Sequence, residues 1–303
     1  MLYKNLNITR YLEKVIELLE ISPLENQFQD FIVYPVIESV LLSKPINDLD
    51  LVDCHNFAQY NTQAHDRCNY SVLVRAVPDL LIAKDFFYYN RGSDIRDRLK
   101  PIAAVEVKVP NTREITAGDK KSVYSGDLYR EILPTLFKCK KYILTNIQRW
   151  DFLNVANVRD ENLLSDISDY VRILELCGFD KATDYENAKE DGKLTRKIRQ
   201  EVLERKWKDA QQNPDRNGVI AEIIESEREP SEKAFSKMLS TADTKYEQHI
   251  KNFVDASLDA AKSVDIIKSP FPPAADRCAL SVSDFQYDPD ALDLLFTRLK
   301  SFL

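Results

Sequence analysis

Residues 102–110 have the sequence Ile-Ala-Ala-Val-Glu-Val-Lys-Val-Pro, an apolar run interrupted by one acid, Glu106, and one base, Lys108. An apolar run of this length with few polar residues is typical of a strand that is buried on both faces of a sheet. Because side chains alternate along a strand, Glu106 and Lys108 should lie on the same face. The pattern therefore predicts an acid and a base side by side on a buried strand.

A second carboxylate stands directly before another apolar run. Asp79 follows Pro78 and precedes Leu80-Leu81-Ile82-Ala83, which places it at a strand end. Two carboxylates from neighbouring strands can share one Mg²⁺, which binds oxygen ligands and keeps several of its waters. An ammonium beside them can orient or help deprotonate a metal-bound water that attacks a phosphate. The alternative is a surface salt bridge at a strand end.

The surrounding periodicity indicates an α/β fold. It predicts helices over 12–20 and 24–42, strands over 70–77, 79–88 and 102–109, a helix over 126–140, and strands over 142–145 and 150–155. Pro134 should bend or interrupt the helix over 126–140. Because this helix connects two strands, those strands should be parallel with a right-handed crossover. We expect a mixed sheet flanked by helices.

Residues 22–155 resemble the PD-(D/E)XK nuclease superfamily, through Pro78-Asp79 and Glu106-Val107-Lys108. Within it, the chain is similar to the endonuclease domain of type I restriction motor subunits. That closer similarity rests on Glu25-Asn26-Gln27-Phe28 at a helix start and on Tyr142-Ile143-Leu144-Thr145-Asn146 leading to Trp150-Asp151-Phe152. Two positions depart from the type I pattern. Ile147 replaces the usual glycine, and the helix after Glu-x-Lys lacks its usual glutamine.

The resemblance implies a restriction-endonuclease-like fold and hydrolysis of DNA that depends on Mg²⁺, with Mn²⁺ as an alternative. It implies that Asp79 and Glu106 ligate the metal, that the carbonyl of Val107 can add a ligand, and that Lys108 positions the attacking water. It also implies a helical glutamate that faces the site. Glu25 is the first candidate for that glutamate and Glu38 the reserve, although either one can equally be a solvated residue of an amphipathic helix.

Substrate contacts are expected from basic and polar residues near these motifs. The candidates are Arg91, Arg96, Arg130 and Gln148, each of which can also be an ordinary surface residue. A lysine trio, Lys138, Lys140 and Lys141, fits the cations that are favoured at a helix C-terminus better than it fits a phosphate site. Residues 1–155 contain 20 Lys or Arg and 20 Asp or Glu, so the excess of acid behind the net charge of −7 lies in the second half. The neutral first half is compatible with a nucleic-acid partner.

Cysteine usage and hydropathy bear on location and on a second metal. The five cysteines are an odd number and widely spread, which suggests reduced thiols and a cytoplasmic protein. No apolar run approaches the length of a membrane span, so no membrane partner is expected. Cys54, His55, His65 and Cys68 together make a Zn²⁺ site conceivable, although adjacent Cys54 and His55 would point in different directions.

The length of 303 residues predicts two domains. We expect a nuclease-like domain over 1–180 and a helical domain over 181–303 that positions DNA, forms a homodimer or docks with a larger defence complex. Restriction or anti-phage defence is the role that the resemblance implies. Two alternatives stay open. One is a non-catalytic protein that keeps the nuclease fold to bind DNA or protein, and the other is an RNA-directed or transposon-associated nuclease.

Overall fold

The structure is a computed structural model, and it describes residues 6–21, 24–43, 49–54, 78–84, 100–110, 115–116, 123–176, 232–272, 277 and 279–303. Its centre is a six-stranded sheet with the strand order β1-β2-β3-β6-β7-β8. The strands are β1 (Leu49–Asp53), β2 (Leu80–Lys84), β3 (Lys100–Val107), β6 (Lys141–Thr145), β7 (Arg149–Asn154) and β8 (Val264–Asp265). The pair β3 and β6 is parallel, and the other neighbours are antiparallel. The expected mixed sheet is confirmed.

Seven α-helices and a small hairpin accompany this sheet in the described residues. The helices are α1 (Ile8–Ile21), α2 (Glu25–Phe28), α3 (Tyr34–Ser43), α4 (Gly126–Cys139), α5 (Glu161–Leu176), α6 (Glu232–Ser257) and α7 (Ala291–Phe302). The hairpin pairs β4 (Ile115–Thr116) with β5 (Val123–Tyr124). Helix α4 runs through Pro134, so the proline does not interrupt it. The strand predicted over 70–77 lies outside the described residues, and β1, which was not predicted, pairs with β2.

The two faces of the sheet are covered by different helices, and strand alternation sorts the side chains between them. On β3, Ala104 joins a core formed with α4, α5 and α6. Its neighbours Ala103 and Val105 join a second core, formed with α1, α2, α3 and α7. Because the strand is buried on both faces, its sequence is apolar in consecutive positions. Glu106 and Lys108 share the face of Ala104, which is the face covered by α4.

The last quarter of the chain contributes to both cores. Phe253 of α6 is fully buried in the first core, and Leu295 and Phe302 of α7 are buried in the second. Strand β8 completes the sheet by pairing with β7. The expected division at residue 180 lies outside the described residues and stays a prediction. The described residues of this region, from Ala242 onward, are integral to the packing around the sheet.

The helix predicted over 24–42 forms with a local change of pitch. Between α2 and α3, residues Gln29–Val33 form a π-helical segment, which ends just before Pro35. Proline lacks an amide hydrogen and its ring disturbs the preceding turn of an α-helix, so a wider turn at this point relieves the conflict. Turns of this kind are frequent at functional sites. Glu25 is the first residue of α2.

The turn from β6 to β7 contains a strained residue. Ile147 has a φ of 71°, a region that a β-branched residue rarely occupies. Its side chain is fully buried in the second core, and its carbonyl accepts a 2.8 Å hydrogen bond from the hydroxyl of Tyr11. The backbone at position 147 therefore has a conformation that favours glycine.

Candidate metal centre

Three carboxylates from separate parts of the chain converge at one edge of the sheet. One oxygen from each of Glu25, Asp79 and Glu106 lies within 4.8 Å of the other two. Glu106 lies near the end of β3, and the antiparallel pairing of Leu80 with Val105 brings Asp79, just before β2, beside it. Glu25 reaches the same point from the first turn of α2. The predicted pair of strand carboxylates is thus joined by the predicted helical glutamate.

Backbone contacts hold Asp79 in place. Its Oδ2 accepts a 2.7 Å hydrogen bond from the N–H of Val107, and its own carbonyl accepts one of 2.9 Å from the N–H of Cys54. The N–H of Lys108 donates to the carbonyl of Thr145 on β6 at 2.8 Å. These bonds connect β1, β2, β3 and β6 at the level of the cluster. Its geometry is therefore determined by backbone as well as by side chains.

Lys108 provides a cation next to the carboxylates. Its Nζ lies 2.8 Å from Oε1 of Glu106 and 3.3 Å from Oε2 of Glu131, which reaches across from α4. Asp79, Glu106 and Lys108 are each no more than 9% exposed, whereas the Glu131 side chain is about half exposed. The ammonium is thus held between a buried carboxylate and one that faces solvent.

Tyr142 is a further member of the site that sequence reasoning missed. Its hydroxyl donates a 3.2 Å hydrogen bond to Oε2 of Glu106. Tyr142 pairs with Ala104 in the parallel ladder between β3 and β6, and its position relative to Glu106 depends on that register. Periodicity within each strand gives no register between strands. Glu131 was missed for a similar reason, because the face that α4 turns toward the sheet is a tertiary property.

Burial and mutual repulsion disfavour the ionised carboxylates when no cation is bound. Burial, with Glu106 nearby, raises the pKa of Asp79 to about 9. Burial also raises the pKa of Glu106, to about 7, although Lys108 opposes the rise. Burial lowers the pKa of Lys108, but Glu106 and the other nearby carboxylates outweigh it and raise that pKa above its usual value. The cluster is suited to a divalent cation that neutralises its charge.

The ligand chemistry fits the expected metal. All three groups offer carboxylate oxygens, which are the ligands that Mg²⁺ and Mn²⁺ prefer. Among the described residues, this is the one group of three or more acidic, His or Cys side chains close enough to hold a metal ion. The N–H of Val107 is part of the site through its bond to Asp79. The role expected for the Val107 carbonyl stays a prediction.

The other candidate residues have different positions. Glu38 is exposed on α3 and is not part of the carboxylate group, so the structure favours Glu25. Arg130 is half-buried on α4, directly before Glu131. The side-chain amide of Gln148 donates to the carbonyl of Ser269 at 2.8 Å, which gives it a structural contact. Arg91 and Arg96 lie outside the described residues. The substrate contacts assigned to these residues stay predictions.

The remaining candidates contribute no side chain to this carboxylate group or lie outside the described residues. The Cys54 thiol is buried and donates to the carbonyl of Val52 at 3.6 Å. His55, His65 and Cys68 are not among the described residues, so the zinc hypothesis stays a prediction. The lysine trio surrounds the start of β6, where Lys140 has a φ of 66° at the end of α4. Since β6 is parallel to β3, that end of the sheet is opposite to Glu106.

The structure also bears on a membrane location. No helix in the described part of the chain has both the length and the apolar character needed to cross a membrane.

The chain matches no protein-family model, no curated protein and no solved structure.

Proposed function

We propose that this protein is a Mg²⁺-dependent nuclease that hydrolyses phosphodiester bonds in DNA. The observation that carries the proposal is the convergence of Glu25, Asp79 and Glu106 with Lys108 at 2.8 Å from Glu106. Buried titratable groups with perturbed pKa values are concentrated at functional sites. Oxygen ligands beside one ammonium suit a reaction in which negative charge develops on a phosphate.

A structural ion pair explains the arrangement less well. Lys108 needs a single acid as its partner, and Glu106 meets that need. The cluster contains two more buried or half-buried carboxylates, and Glu131 lies on the other side of the ammonium. Bringing like charges together in a buried place destabilises a fold unless a counter-charge is bound. The surplus of acid therefore supports a cation-binding role.

Each residue has a defined task in the proposed reaction. A Mg²⁺ ion, when bound, would supply charge neutralisation at the phosphate and a more acidic water. Glu25, Asp79 and Glu106 would hold the ion, and the N–H of Val107 keeps Asp79 in position. Lys108, with its Nζ 2.8 Å from Glu106, would donate a hydrogen bond that orients the water or a phosphate oxygen.

Cleavage assays on plasmid DNA, single-stranded DNA and RNA, with Mg²⁺ or with EDTA, test the proposal. Glu106→Gln and Lys108→Met should each lower the cleavage rate at least about 100-fold, because each removes stabilisation of the transition state. Lys108→Met should still bind Mg²⁺, since it removes a positive charge from the cluster. Glu38→Gln is the matched control, as an exposed glutamate outside the cluster, and should cut at the wild-type rate.

Two outcomes would overturn the assignment. One is a wild-type protein that cuts none of the three substrates with Mg²⁺ or Mn²⁺. The other is cleavage by Glu106→Gln and Lys108→Met at the rate of the control. Preference for RNA would keep the metal site and change the substrate, as the RNA-directed alternative predicts. A role in restriction or anti-phage defence is proposed from the resemblance alone, and protection of cells against phage infection, lost in Glu106→Gln, tests it.

A further inference from the structure

We propose that Tyr142 is a positioning residue of the metal site, which sets the orientation of the Glu106 carboxylate toward the bound cation. This inference rests on the proposed function. It adds a residue outside the acid and lysine motif, on a neighbouring strand. The role is indirect, because the tyrosine acts through Glu106.

Glu106 is held through both of its oxygens by donors from two strands. Lys108 directly follows β3, and its Nζ lies 2.8 Å from Oε1. The hydroxyl of Tyr142 on β6 lies 3.2 Å from Oε2. The terminal torsion of a glutamate is broad when nothing restrains it. One donor leaves the carboxylate plane free to turn, whereas two donors on opposite oxygens fix it. When the carboxylate plane is fixed, the lone pairs that bind the cation keep a constant direction.

The strand register places Tyr142 beside Glu106. Tyr142 lies opposite Ala104 in the parallel ladder. Ala104 is two residues before Glu106, so both strands present these side chains on the same face of the sheet. Tyr142 is 1% exposed and belongs to the core under α4. A phenol is protonated at neutral pH, so the hydroxyl can donate to the carboxylate.

A second buried tyrosine provides a matched control. Tyr124 is 4% exposed, belongs to the same core, and donates a 3.0 Å hydrogen bond to Oδ2 of Asp151. Asp151 is not part of the carboxylate group that could hold a metal. Replacing either tyrosine with phenylalanine deletes one hydroxyl that donates to a buried carboxylate. The two variants differ in whether that carboxylate belongs to the proposed metal site.

Hydrogen-bonding partners of metal ligands typically change metal affinity or activity 10–100-fold when they are removed. Tyr142→Phe should therefore raise the Mg²⁺ dissociation constant about 10-fold, measured by calorimetric titration and by the rise in melting temperature with Mg²⁺ concentration. Its cleavage rate should fall at subsaturating Mg²⁺ and recover in part at high Mg²⁺. Tyr124→Phe should bind Mg²⁺ as the wild type does, whatever it does to the melting temperature without metal.

Glu106→Asp tests the same contact from the other side, because it shortens the acid by one methylene and withdraws it from the phenol. If the contact matters, the loss of Mg²⁺ affinity in the double variant is smaller than the sum of the two single losses in free energy. If Tyr142→Phe does not fold, Tyr142→Met, which also removes the hydroxyl, takes its place and is compared with Tyr124→Phe in the same Mg²⁺ titration. Unchanged Mg²⁺ affinity in a folded Tyr142→Phe, or equal losses in Tyr142→Phe and Tyr124→Phe, would overturn the role of Tyr142. A wild type that binds no Mg²⁺ would instead overturn the proposed function.

Discussion

Replacing Asp79 with asparagine is expected to flatten the dependence of stability on pH in the metal-free protein. Asparagine has the same shape, and its amide oxygen can accept the 2.7 Å hydrogen bond that the N–H of Val107 now donates to the carboxylate. The substitution therefore removes the charge and leaves the backbone contact. Burial, with Glu106 nearby, raises the pKa of Asp79 to about 9 in the folded protein. In an unfolded chain the pKa of an aspartate is about 3.9.

Between these two values the folded protein keeps a proton on Asp79 that the unfolded chain has lost. The stability that this proton on Asp79 contributes is complete below the pKa of the unfolded chain, and it is lost as the pH rises through the pKa of the folded protein. One such proton changes the free energy of unfolding by about 1.4 kcal/mol per pH unit. From about pH 5 to about pH 7, the free energy of unfolding of the wild type should fall by about 3 kcal/mol more than that of Asp79→Asn.

Urea unfolding at a series of pH values in EDTA measures this difference. Glu38→Gln is the control and should follow the wild type, because that glutamate is exposed and outside the cluster. With saturating Mg²⁺ the wild type should gain more stability than Asp79→Asn, since a bound cation favours the ionised carboxylate that the variant lacks. Parallel pH curves for wild type and Asp79→Asn in EDTA would refute the reasoning, as would an equal gain from Mg²⁺.

Two further predictions concern the fold. Ile147→Ala and Ile147→Gly should both unfold more readily than the wild type, because each empties a buried site at a cost of about 2–5 kcal/mol. Ile147→Gly should nonetheless be the more stable of the two by about 1 kcal/mol, since glycine accepts the φ of 71° without strain; equal chemical-denaturation midpoints would contradict this. A chain that ends near residue 180 should lack a cooperative unfolding transition, because it loses buried residues of both cores, among them Phe253 and Leu295. A sharp calorimetric transition in that shortened chain would show that the first part folds alone.

Features that depend on a single strand or helix were accessible from the sequence. The period of two places Glu106 and Lys108 on one face wherever the strand lies, and the structure has both there. Strands β3, β6 and β7 and helix α4 form within a few residues of their predicted positions, since their apolar runs are long or strongly periodic. Strand β1 was missed because Leu49–Asp53 is short and contains two acids.

Features that depend on contacts between elements were not accessible. Glu25 was ranked before Glu38 on the resemblance alone, and their different placement follows from how the helix packs on the sheet. Tyr142 reaches Glu106 through the register of a parallel pair, which neither strand specifies alone. The two-residue strand β8 is defined by its pairing with β7 and has no periodicity of its own. Tertiary packing decides each of these positions.

The π-helical segment between α2 and α3 explains an unusual repeat in the sequence. Pairs of buried residues recur there at intervals of four, namely Phe28 and Gln29, Ile32 and Val33, Val36 and Ile37, and Val40 and Leu41. In a regular α-helix a spacing of four drifts by about 40° at each step, or about 120° from the first pair to the last. The wider turn absorbs part of that drift, so all four pairs face the core. Inserting one further residue within Gln29–Val33 would therefore rotate α3 by about 100° relative to α2, and it would turn either Glu25 or the α3 side chains away from their present neighbours.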